Sequence, residues 1–213
     1  MPRHFPPVPA QITRDVVASR LGDVTYDRFL CYLMGPYKSF NLAYVLDAEE
    51  RAAVDVADLP SPLRRLFRNE DAIDEAQALL RRVQGTLRRD PGVNAFLAVD
   101  VGIDVDAVDA VTQSVEFARC ANASAFVVPF LGHNFGVGEE AGSVLEALSA
   151  THGERVVFVH EAAVTSEMIR SARTRWDLRV ETYETEADLV DVLRRFVVTT
   201  MNRERFGDLE FLG

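Results

Sequence analysis

Four short stretches of this chain are almost wholly apolar: Phe29 to Met34 (FLCYLM), Asn94 to Val101 (NAFLAVDV), Ala125 to Phe130 (AFVVPF) and Arg155 to His160 (RVVFVH). Between them lie residues of helical period. A strand covered on both faces reads as a continuous apolar run rather than an alternation, because helices shield both sides of a parallel sheet. The pattern therefore predicts parallel strands over 28–34, 94–101, 125–130 and 155–160, with a short edge strand from Leu178 to Thr182. The stripe Ile73, Ala76, Leu79, Leu80, Val83 and Leu87 predicts a covering helix over 71–89. A second helix is predicted over 105–121, opened by Asp104 or Asp106 and carrying Val108, Val111, Val115 and Ala118 inward. Others are predicted over 139–150, 166–175 and 186–201, the last with Leu189, Val192, Leu193 and Phe196 inward. Strands alternating with helices imply right-handed crossovers in one sheet. The fold class is α/β: a three-layer, doubly wound, five-stranded parallel sheet of flavodoxin-like order 2-1-3-4-5.

The 213 residues, 48% of them hydrophobic, suit one core. We read 1–27 as an N-terminal extension whose Ile12, Val16, Val17 and Leu21 give a short peripheral helix, 28–205 as the single nucleotide-binding-like domain, and 206–213 as a tail. Apolar residues from Phe206 to Leu212 suggest that this tail docks on its own core or on a neighbour. Asn41 to Leu66 reads either as a lid over the site or as a solvated connector.

Charge narrows the class further. The net charge is -10, and of the 23 basic residues only Lys38 is lysine. Such a surface stays hydrated in strong salt, where like charges are screened. It reads as the cytoplasmic protein of a halophile, with a coding bias toward arginine as the alternative. Nucleic-acid binding is disfavoured, since it relies on basic surfaces that neutralise phosphates. No basic amphipathic helix points to a membrane surface, and no apolar run is long enough to cross a bilayer. The start, MPRHFPPVP, lacks the apolar stretch of a signal peptide. Cys31 and Cys120 read as buried thiols rather than a disulfide or a metal pair. No metal and no cofactor are expected.

The stretch Ala125 to Gly142, AFVVPFLGHNFGVGEEAG, has the form strand, glycine loop, helix. In an open parallel sheet, ligands sit where such loops line the crevice at the carboxyl ends of the strands. Gly132, Gly136 and Gly138 permit close approach to the main chain, with His133 and Asn134 as polar neighbours, and the helix that follows offers free amides. Turn geometry alone would also explain the glycines, and the pattern is neither GxGxxG nor a P-loop. Glu139 and Glu140 suit the first turn of a helix through its dipole. Capping alone explains at least one of them; being adjacent, they cannot both face the same way, so one can cap while the other points into the crevice, where it could act as a nucleophile or hydrogen-bond a ribose. Asp100 is either paired structurally or presented to the crevice. In the 2-1-3-4-5 order, the turn Gly35-Pro36-Tyr37 comes next to Gly132-His133-Asn134, and His133 and His160 could meet above the sheet.

The residues YLMGPY (Tyr32 to Tyr37) and GVGEEAG (Gly136 to Gly142) resemble the nucleoside 2-deoxyribosyltransferase-like superfamily and, more distantly, TIR-type NAD-cleaving domains. In that superfamily the first strand ends in an Ala-Gly-Pro type turn, and the third covering helix opens with Gly-Thr-x-x-Glu-x-Gly. Carried over, the resemblance implies that Glu140 attacks the anomeric carbon of a nucleoside or assists departure of the base. It implies Asp100 on the base side, and Gly35, Pro36 and Tyr37 along the sugar or phosphate pocket. An adjacent anion stabilises an oxocarbenium-like centre, as in retaining glycosidases. Val137 stands where the family has threonine, and Ser39-Phe40-Asn41 departs from its usual continuation. The expected function is thus an N-glycosidic-bond transferase or hydrolase acting on a nucleoside, nucleotide or NAD-like small molecule, within a homo-oligomer. A non-catalytic nucleotide-binding regulatory module is the alternative, and an assembly protein with a vestigial pocket is a third.

Overall fold

The computed structural model describes residues 12–35, 70–104, 107–129, 142, 144–148, 153–164, 174 and 177–212. After helix α1 (Arg14–Arg20) come strand β1 (Tyr26–Met34), helix α2 (Glu70–Arg89), strand β2 (Val93–Phe96), the short helix α3 (Ala98–Val101) and helix α4 (Ala110–Cys120). Strand β3 (Ala123–Val128) follows, then helical residues at 144–148 and a 3-10 turn at Gly153–Arg155. Strands β4 (Val156–Glu161) and β5 (Arg179–Tyr183) and helix α5 (Glu186–Phe206) complete the described chain.

All pairings in the sheet are parallel and its order is β2-β1-β3-β4-β5, the expected 2-1-3-4-5 arrangement. Because side chains alternate along a strand, each central strand feeds two cores. Leu30, Tyr32 and Met34 of β1, Phe126 and Val128 of β3, and Val156 and Phe158 of β4 point to one face. There they meet Val17 of α1, Phe117 and Ala118 of α4, and Val144, Leu145 and Leu148. Phe29, Cys31 and Leu33, with Ala123, Ala125 and Val127, point the other way, onto Leu80, Val83 and Leu87 of α2 and Leu189, Leu193, Phe196 and Val197 of α5. This double burial explains why the strands read as unbroken apolar runs. The first core also holds stacked rings: Tyr32 and Phe96 have centroids 5.0 Å apart, and Phe117 meets both edge-on. Each such pair adds about 1 kcal/mol beyond its buried area.

Several boundaries differ from the sequence expectation. The strand predicted over 94–101 stops at Phe96, because the Asp100 carboxylate turns back to accept the Leu97 amide at 2.8 Å and winds 98–101 into α3. Gly102, with φ 62°, ends that turn in the left-handed conformation. Helix α4 starts at Ala110 rather than at Val105, capped by Asp109 and not by Asp104 or Asp106. Its Oδ1 accepts the Thr112 amide at 3.0 Å and its Oδ2 the Thr112 hydroxyl at 2.6 Å. Helix α5 runs past Met201 to Phe206, where Gly207 (φ 82°) caps it, so Phe206 belongs to the helix rather than to the tail. The expected short peripheral helix is α1, anchored by Val17, which is fully buried, and by Arg14, bonded to Cys120 O and Asn122 Oδ1, both at 2.6 Å. The helices predicted at 139–150 and 166–175 lie mostly outside the described residues, as does the whole of 41–66. Both cysteines are free thiols. Among the described residues, no helix is long and apolar enough to cross a membrane.

Candidate functional site

The order of the sheet places the carboxyl ends of β1 and β3 side by side, with Met34 opposite Phe126. One residue on, Gly35 is buried in the seam, and a Cβ there would lie 2.8 Å from Leu80 Cδ1 and 3.0 Å from Val127 O. The missing side chain lets α2 press onto the junction of the two strands. Close packing therefore accounts for this glycine whether or not it also lines a pocket.

Asp100 sits beyond the end of β2, on the flank of the same edge. Its Oδ2 accepts the Leu97 amide at 2.8 Å and Gln84 Nε2 at 2.6 Å, while its Oδ1 is engaged by the Arg81 guanidinium. Gln84 is itself fixed, donating to Ala95 O at 3.1 Å and accepting from Arg81 at 3.0 Å. Of the two possibilities, paired or presented, the structure places Asp100 in a polar cluster that closes α3 against α2. Only the Arg81 side of that cluster is open to solvent: its side chain is 41% exposed, against 16% for Asp100.

His160 lies near the end of β4, half-buried and in register with Val128 and Thr182, with its Nδ1 3.0 Å from Glu161 O. Gly142, at the end of the glycine-rich motif, meets no atom of the described residues within 4 Å where a side chain would project. Pro36, Tyr37, Gly132, His133, Asn134, Gly136, Gly138, Glu139 and Glu140 lie outside the described residues. Of the candidate site residues, the described structure thus brings Gly35, Asp100 and His160 to the carboxyl edge of the sheet. Among the described residues, no group of three or more His, Cys, Asp or Glu side chains could hold a metal ion.

The opposite edge carries a polar cluster that sequence reasoning missed. Asn122, just before β3, accepts from the Leu30 amide at 2.9 Å and from Arg14 through Oδ1, and donates through Nδ2 to both Glu204 oxygens at 2.9 Å. Arg155 pairs with Glu204, donates to Asn122 O at 3.1 Å and reaches the carbonyl of Glu210. The Arg155 and Glu204 side chains are 5% and 3% exposed. The cluster thereby ties α1, β1, β3, the turn before β4, α5 and the tail together. Arg14, partly desolvated here, has its pKa lowered chiefly by burial, against the pull of Glu204. The spacing Phe196, Thr200, Glu204 was the available signal: a buried i, i+4, i+8 stripe whose last member is charged.

Among curated proteins, none matches this sequence significantly. A family model does match, covering residues 14–213 and so including α1 and the tail, and the chain belongs to the family it defines, Domain of unknown function (DUF7509).

Proposed function

We propose that this chain binds a nucleoside, nucleotide or NAD-like small molecule at the carboxyl edge of its sheet, between β1 and β3, and cleaves or transfers its N-glycosidic bond. The observation that carries the reading is the parallel pairing of β1 with β3 at the switch point, with Met34 opposite Phe126 at their carboxyl ends. It brings together the chain entering Pro36-Tyr37 and the chain entering the glycine-rich stretch, and such a junction is where open α/β sheets hold ligands. The chemistry rests on the resemblance of 136–142 to the transferase motif. Glu140 supplies the carboxylate that bonds to the anomeric carbon as the C–N bond breaks; the base of a nucleoside leaves with a proton taken from water, whereas nicotinamide leaves neutral without one. Water or a second base then displaces the glutamate. Cytoplasmic, salt-tolerant homo-oligomers are part of the same reading.

Asp100 favours a second reading. A carboxylate already holding three donors is poorly placed to handle a base, which suits a non-catalytic nucleotide-binding module on the same fold. Purified protein in concentrated salt is to be incubated with nucleosides, nucleotides and NAD, with free base measured by chromatography and binding by calorimetry. Base release that is lost in Glu140→Gln supports the enzyme. Binding without release supports the module, and neither binding nor release sinks both.

A further inference from the structure

A cavity of about 610 Å³ opens at the amino edge of the sheet, opposite the carboxyl edge considered above. It lies between the start of β1, the Asp90-Pro91 peptide and the end of α5. Its body is apolar, formed by Phe29, Pro91, Val198, Met201 and Phe211, with Asn122 and Glu204 also contributing to the lining. The size falls within the roughly 300–1,000 Å³ range of small-molecule sites, which are likewise mostly apolar with a few polar groups. Its apolar lining is also unusually open to water: Tyr26 is 49% exposed and Phe211 69%.

Charge around the lining selects the ligand. Glu204 is held by Arg155, and Asp90 by Arg194 at 2.9 Å. Arg28 and Arg205 also line the cavity, both are exposed, and neither has an ion-pair partner among the described residues. Asp27 is the remaining lining carboxylate. With those two ion pairs set aside, two guanidiniums that lack an ion-pair partner among the described residues stand against Asp27 alone, a small positive surplus beside an apolar cavity in a chain of net charge -10. We infer that this cavity is a binding site for an amphipathic carboxylate, a small molecule with an aliphatic or aromatic body and one terminal anionic group met by Arg28 and Arg205. A second copy of the chain fits less well, because a two-fold contact centred here would bring like guanidiniums together. The site is separate from the proposed nucleoside pocket and stands or falls independently of it.

Decanoate and 1-decanol serve as probes of the full chain, with calorimetry for affinity and amide chemical shifts for location. Decanoate should bind more tightly than the alcohol, by roughly tenfold for two exposed charge contacts. Shifts should concentrate at 25–29 and 198–211. Arg28→Gln/Arg205→Gln should remove the preference for the acid while leaving the circular dichroism unchanged, and Val198→Trp should block both probes. Equal binding of acid and alcohol, shifts at the carboxyl edge instead, or no binding at millimolar probe would overturn the site. So would self-association that broadens the 25–29 and 198–211 signals and is indifferent to decanoate, since it would mark this face as a contact between copies.

Discussion

Replacing Glu204 with glutamine is the sharpest test of what holds the amino edge of the sheet together. Both Glu204 oxygens accept from Asn122 Nδ2, and Oε1 also accepts from Arg155. Whichever way a glutamine amide is turned, its NH2 therefore meets at least one donor. Arg155, 5% exposed, would keep its charge with no anion beside it. Removing one partner of a buried ion pair costs about 3–5 kcal/mol, a large share of the roughly 5–15 kcal/mol that stabilises a typical domain. At about 2–4 °C per kcal/mol for a chain of this size, Tm should fall by roughly 10 °C. Urea unfolding followed by circular dichroism at fixed salt measures the loss. Replacing both charges, as in Arg155→Met/Glu204→Leu, should cost clearly less than the sum of the two single changes, because neither charge is then left alone. A Glu204→Gln loss below about 1 kcal/mol, or strict additivity in that cycle, would refute the reasoning.

Three further outcomes are expected. Gly35→Ala should destabilise by about 1–3 kcal/mol through overpacking against Leu80 Cδ1 and Val127 O, read from urea midpoints. The buried Tyr183 hydroxyl has no hydrogen-bond partner among the described residues, so Tyr183→Phe should be neutral or stabilising by up to about 1 kcal/mol, and a clear loss would show that the hydroxyl is satisfied after all. Burial raises the Cys31 thiol to about 12, and burial with Glu116 nearby raises Cys120 to about 11, from 9.0. Because these folded-state values lie above the unfolded one, their contribution is complete below pH 9.0 and is lost as pH climbs toward 11 and 12. The urea midpoint should fall over that window, and fall less in Cys31→Ala.

The sheet was legible because a parallel strand buried on both faces leaves an unmistakable apolar run, as in FLCYLM and RVVFVH. What misled were residues whose role depends on a partner distant in sequence or on a single local bond. Asp100 inside AVDV looks like the polar end of a strand until its bond to the Leu97 amide is seen. In DVDAVDA every aspartate is a possible cap, and only Thr112, with both amide and hydroxyl to give, selects Asp109. Glu204 concealed the last turns of α5, since a carboxylate at an inward position breaks the apolar stripe unless Arg155, 49 residues earlier, is known to meet it. The candidate site was legible as two motifs and as the topology that joins them; of the residues named for it, Gly35, Asp100, Gly142 and His160 fall among those described.

Asp100 gives one oxygen to the bonds that close α3 and the other to Arg81, and whether that second oxygen can serve the proposed site is open to test. Oδ2 receives the Leu97 amide and Gln84, both needed to close α3, whereas Oδ1, among the described residues, receives only Arg81. The Arg81 bond is the one that can be given up, since an ion pair with a half-exposed arginine contributes only about 0–1 kcal/mol. In Asp100→Asn the amide oxygen can take the Oδ2 position and keep both structural bonds, while the NH2 turns toward Arg81 and releases it. That variant should lose no more than about 1 kcal/mol, whereas Asp100→Ala, which strands the Leu97 amide and Gln84, should lose about 1–3 kcal/mol. Equal losses in the two variants would mean that Arg81 is as structural as the others, leaving Asp100 no free oxygen to offer a ligand. With unequal losses, Asp100→Asn becomes a folded protein in which base release or nucleoside affinity reports on Oδ1 alone.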